Sequence, residues 1–151
     1  MDEKQQALDT FAAKNNCSQS VLLPFAQRYG VSEGQALQIA AGFGAGIGQM
    51  AETCGAVTGA CMVLGLMAGQ QHPQNPELKQ ETYRLVGEFA RRFREQFGEL
   101  KCRDLLGLDI SDANIYQQAR ESGLFENLCP LYVGAAVEIL LDMIEKPGAA
   151  R

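Results

Sequence analysis

The chain has 151 residues, 46 % of them apolar and 21 % charged, which supplies one packed domain and excludes a mainly disordered polymer. Thirteen Lys and Arg against eighteen Asp and Glu leave a net charge of −5 and an isoelectric point near 4.9, so the basic footprint behind nucleic-acid binding is missing. One histidine, His72, excludes a histidine-rich metal site within one chain.

The opening segment, MDEKQQALDTFAAKNN, is acidic and polar and lacks the basic and apolar regions of a signal peptide. A cytoplasmic location is expected, where cysteines serve metal or redox chemistry more often than structural disulfides. Helical spacing of Ala7, Leu8 and Phe11 predicts a first helix over 3–14. Val21, Leu22, Phe25 and Ala26 predict a second over 18–29, with Pro24 in its first turns or kinking it and Gly30 as C-cap. Ser32 is an N-cap residue type and opens a third helix, which runs into the loop Gly42-Phe-Gly-Ala-Gly-Ile-Gly48.

A fourth helix is predicted over 55–69, GAVTGACMVLGLMAG. It is shorter than the ~20 residues of a membrane span, so it reads as a core helix and no membrane insertion is expected. After the linker 70–76, the stripe Thr82, Leu85, Val86, Phe89, Phe93 and Phe97 predicts the longest helix, over 77–97. Its arginines 91, 92 and 94 alternate with glutamates and read as a solvated face. A short DLLG turn, a polar helix over 113–122 and an apolar helix over 130–145 complete an all-α bundle of five to seven helices. Strand signals are scarce.

Five cysteines stand at 17, 54, 61, 102 and 129. Four of them fall at predicted helix starts; at position 129 the reason is Pro130, since proline favours the first turn. Free N–H groups and the helix dipole there stabilise a thiolate, lowering a thiol pKa from ~8.5. Cys61 lies two turns after Cys54, too far along one helix for a disulfide, and reads as a small packing residue. No Cys-x-x-Cys occurs, so neither a thioredoxin-type pair nor a zinc ribbon is assigned. The glycine loop lacks the Gly-x-Gly-x-x-Gly register and a Walker lysine. It reads instead as a close backbone approach to Cys54 or a neighbouring helix, and Gly55 and Gly59 as packing or site-forming positions. Glu52, two residues before Cys54, reads either as a proton acceptor or as a residue favoured by the helix dipole.

The segments Asn16-Cys17-Ser-Gln-Ser-Val-Leu22, Gly42–Gly48, Cys54-Gly-Ala-Val-Thr-Gly59, Lys101-Cys102-Arg-Asp-Leu-Leu-Gly107 and Gly123-Leu-Phe-Glu-Asn-Leu-Cys129-Pro130 resemble the C-GCAxxG-C-C family. The family pattern carries over to Cys17, Cys54, Cys102 and Cys129 and leaves Cys61 outside. Its members are regarded as redox-active from their cysteines and often sit near transporter genes, which implies a link to a transporter. The family is also similar to part of the split-Soret cytochromes, which implies a cysteine-ligated iron–sulfur or metal centre. The chain has no Cys-x-x-Cys-His, so covalent haem is not expected.

Three functional expectations follow. The first is an oxidoreductase-type protein in which the four cysteines cycle between thiols and disulfides, with Cys54 the foremost nucleophile and a redox partner unspecified. In the second, the same four cysteines ligate a metal or an iron–sulfur cluster for electron transfer. The third is a non-redox helical accessory protein. The faces of small residues suit a homo-oligomer in all three.

Overall fold

The computed structural model describes residues 2–146. Among them stand eight α-helices: α1 (Glu3–Ala12), α2 (Cys17–Ala26), α3 (Glu33–Ala40), α4 (Gly55–Gly69), α5 (Glu77–Phe97), α6 (Cys102–Leu106), α7 (Ala113–Glu121) and α8 (Leu124–Glu145). The all-α class is as expected. The count is higher because the DLLG segment, read as a turn, closes into the five-residue α6.

Side-chain caps fix three of the first helices. Asp2 accepts the Gln5 N–H at α1, and reciprocal capping boxes join Asn16 with Gln19 at α2 and Ser32 with Gln35 at α3. Pro24 sits inside α2, which passes into a 3₁₀ turn ended by Gly30 in the left-handed region. The α4 helix lies centrally, against α2, α5 and α8. Its mutual contact with α2 is the most extensive in the fold, because Gly55, Ala56, Gly59 and Ala60 are buried and let the backbones close in. Phe25, Phe89, Phe93, Leu64, Leu140 and Met143 fill the core between them.

The aromatic stripe of α5 behaves as its spacing predicts. Phe89, Phe93 and Phe97 follow one another at centroid distances of 5.9 and 4.8 Å, and Phe97 meets Tyr132 of α8 edge-on at 5.0 Å. One arginine departs from the solvated face. Arg92, with 17 % of its side chain exposed, bridges Glu88 and Asp142 and so ties α5 to α8.

The last helix begins six residues before the predicted start. Gly123, at φ 76°, ends α7 and turns directly into α8, which runs through Pro130. Inside a helix proline removes one N–H and crowds the carbonyl four residues back, and here the buried apolar face from Tyr132 to Met143 offsets that cost. On length and composition α8 could cross a membrane, with half of the apolar window buried inside the fold.

Candidate functional site

A cavity of about 580 Å³ opens between the end of α1, the segment before α4, and helices α6, α7 and α8. Cys17, Cys54, Cys102 and Cys129 all line it, and Cys61 does not. Four cysteines from four separate elements are thus gathered at one place, and each arrives by a local device that the sequence specifies.

Cys17 is the first residue of α2, directly after the Asn16 cap. The Asn16 side chain also donates to the Ala41 carbonyl, tying this turn to the end of α3. The α2–α4 approach then sets Cys17 beside Cys54: an added Cβ on Gly55 would stand 3.0 Å from the Cys17 Cβ. The glycines of the Cys-Gly-Ala-x-x-Gly element pack closely, and that packing forms the site.

Cys54 caps α4, and its N–H donates to the Leu100 carbonyl at 2.8 Å. The Cys102 N–H donates to the Glu52 carbonyl at 2.6 Å, and Thr53 and Lys101 pair antiparallel between them. This short ladder pins the Cys54 segment to the start of α6. The Tyr132 hydroxyl in turn donates to the Leu105 carbonyl at 2.8 Å, anchoring α6 on α8.

The glycine loop is a tight left-handed coil. Ala45, Gly46, Ile47, Gly48 and Gln49 all have φ between 53° and 68°, and Ala51 has φ 58°. Left-handed backbone costs an L-residue about 1–2 kcal/mol, and the branched Ile47 is the most costly residue type there. Such a coil persists only when its surroundings over-determine it. Glu52 N–H donates to the Gly46 carbonyl at 2.9 Å, and a Cβ on Gly46 would strike that same amide at 2.6 Å.

Arg103 is the outer clamp on this coil. Its guanidinium donates to the Met50 carbonyl at 3.1 Å, the Ala51 carbonyl at 3.0 Å and the Glu52 carboxylate at 2.9 Å. Glu52 therefore takes neither of its expected roles: its carboxylate pairs with Arg103 and it lies ahead of the cap. Arg103→Ala is expected to lower stability by about 1–2 kcal/mol, the range for a part-exposed charge-assisted hydrogen-bond set. Hydrogen exchange should rise in residues 44–54 while α8 stays protected; uniform exchange in both would refute the clamp.

The electrostatics correct two expectations. Cys129 lies within α8, one turn beyond its start, so no helix N-terminus acts on it. At Cys54 the N–H groups of Ala56 and Val57 do favour the thiolate, but burial outweighs them and pushes the thiol up to about 12. Burial likewise pushes Cys102 up to about 12, with the neighbouring Cys54 and Cys129 adding to it. Cys54 and Cys102 are only 5 % and 8 % exposed, and water withdrawn from a thiolate costs more than two peptide dipoles return.

Cys17 and Cys129 act on each other. Cys17 is raised well above the ordinary thiol value, chiefly through its hydrogen bond to Cys129 and then through burial. Cys129, on the accepting side of that contact, is lowered. Nothing in the sequence pairs positions 17 and 129; only the packing of α1, α2 and α8 brings them together. Cys61 is half-buried in α4 and raised by burial, consistent with a packing role, and His72 lies in the α4–α5 connection away from the cavity.

Thiols suit a soft metal by chemistry. Their placement does not suit a single ion, since among the described residues no three Cys, His, Asp or Glu side chains converge on one ion-sized point. All five cysteines are free thiols.

The chain belongs to the C_GCAxxG_C_C family, whose model, described as "Putative redox-active protein (C_GCAxxG_C_C)", matches residues 15–143. No curated protein and no solved structure matches the chain.

Proposed function

We propose that this chain is a thiol–disulfide redox protein whose working pair is Cys17 and Cys129. The observation that carries this reading is the meeting of Cys17 and Cys129, from α2 and α8, at a cavity that two further cysteines line. The Cys129 sulfur attacks one sulfur of a disulfide substrate, that S–S bond breaks, and a mixed disulfide forms. Cys17 then gives its proton to a departing sulfur and displaces the other. The products are a Cys17–Cys129 disulfide and a substrate reduced by the same two electrons. Cys129, in place of Cys54, is the attacking group.

Peptide mapping after oxidation with one equivalent of diamide tests the pairing. Cys17 joined to Cys129 is the expected product, formed equally well in Cys61→Ser. With hydroxyethyl disulfide in place of diamide, Cys17→Ser should stop at a mixed disulfide on Cys129, with one mercaptoethanol released. Oxidised protein with positions 17 and 129 unpaired would refute the pairing. Stoichiometric iron with visible charge-transfer bands in protein purified without oxygen would replace the whole reading with a cluster protein.

A further inference from the structure

The cavity holds more than sulfur, and its other walls bear on what enters. Leu8, Phe11, Ile110, Tyr116 and Phe125 give it a largely apolar body. Two cations, Lys14 and Arg120, also line it, from the end of α1 and the last turn of α7. Both are exposed, and among the described residues neither side chain has an ion-pair or hydrogen-bonding partner. Most of the other cations are matched. Arg28, Arg91, Arg92 and Arg103 each pair with a carboxylate. Against Lys14 and Arg120 stands a single lining carboxylate among the described residues, Glu126.

We infer that the substrate of this cavity is a small organic disulfide carrying a carboxylate, its anionic end held by Lys14 and Arg120. This rests on the thiol–disulfide reading and adds the substrate class to it. The size argument comes first. Three of the four cysteines are less than a tenth exposed, so their sulfurs are reached through the cavity and not across a flat surface. A space of about 580 Å³ falls within the range of small-molecule sites. The charge argument comes second. The chain as a whole is −5 and repels anions at long range, but salt screens charges beyond about 8 Å. Among the described residues that line the cavity the two exposed cations outnumber Glu126, and an exposed charge acts on the rate of association.

A charge series of near-equal shape tests this with the whole reduced protein: dithiodipropionate (anionic), hydroxyethyl disulfide (neutral) and cystamine (cationic). Each rate of thiol loss is divided by the rate of the same disulfide with mercaptoethanol, which removes intrinsic reactivity. The anionic probe should then lead the cationic one by about tenfold at ~0.15 M salt, where the net −5 is screened, and the lead should shrink toward ~1 M salt, where the local cations are screened as well. Lys14→Gln and Arg120→Gln should each reduce that ratio about threefold, and Glu126→Gln should raise it. The same sulfur attacks every probe, so a change in the thiol itself cancels from the ratio. Equal normalised rates, or a cationic lead, overturn the substrate class while leaving the redox reading standing. Failure of all three probes to react overturns both.

Discussion

Replacing Gly59 by alanine is expected to destabilise the fold by about 2–3 kcal/mol, although alanine is the better helix former by about 1 kcal/mol. An added Cβ would stand 2.7 Å from the Ser18 carbonyl oxygen and 3.1 Å from the Val21 Cβ, and the first of these is backbone that no rotamer change can move. The α2–α4 pair must therefore separate. Gly87 supplies the opposite case, since an added Cβ there meets nothing within 4 Å on the exposed face of α5. Gly87→Ala should therefore stabilise by about 0.5–1 kcal/mol. Urea unfolding of the two variants checks the contrast; equal shifts would mean that the α2–α4 contact is looser than described.

The same separation reaches the chemistry. Ser18 follows Cys17, so any displacement of α2 at Gly59 moves the Cys17 sulfur away from Cys129. Gly59→Ala should thus show less Cys17–Cys129 disulfide at partial oxidation even at temperatures where it is fully folded. A variant that loses stability but keeps its pairing would separate the two roles of this glycine.

Periodicity carried most of the fold because the buried faces of α4 and α5 are long and regular, and the caps Ser32 and Gly30 are local chemistry. The same local rules misled at Pro130. Proline at a helix start and proline inside a well-packed helix look alike in sequence, and the difference lies in what α8 packs against. That error carried Cys129 with it. The four site cysteines were nevertheless readable, from the motif they share and from the helix starts at Cys17, Cys54 and Cys102. Their electrostatics were not. A helix start is a property of neighbours in sequence, whereas burial at Cys54 and the coupling of Cys17 to Cys129 depend on groups dozens of residues away. The left-handed coil is not legible for a similar reason: alternating glycines signal freedom, and only Arg103 and the ladder to Cys102 convert that freedom into one shape.

Thiol alkylation separates these electrostatic assignments most sharply. Cys54 sits at about 12 and Cys129 is lowered from the ordinary thiol value, so at neutral pH Cys129 carries the larger thiolate fraction. A more basic thiolate is the stronger nucleophile, and a Brønsted slope of about 0.4–0.5 returns about half of that advantage, on a logarithmic scale, to Cys54. The net expectation is that iodoacetamide modifies Cys129 faster than Cys54 by roughly tenfold or more, before access is counted. The pH dependence gives the direction independently. Labelling at Cys129 should level off below the ordinary thiol value, while labelling at Cys54 and Cys102 should still climb tenfold per pH unit through pH 9. Cys17→Ala removes the donor that lowers Cys129, so its profile should move upward in pH while those of Cys54 and Cys102 stay nearly in place. Faster labelling of Cys54 at neutral pH would mean that the helix start outweighs burial after all, and the attacking role would return to Cys54. A Cys129 profile unmoved in Cys17→Ala would instead remove the coupling of Cys17 to Cys129 on which the working pair rests.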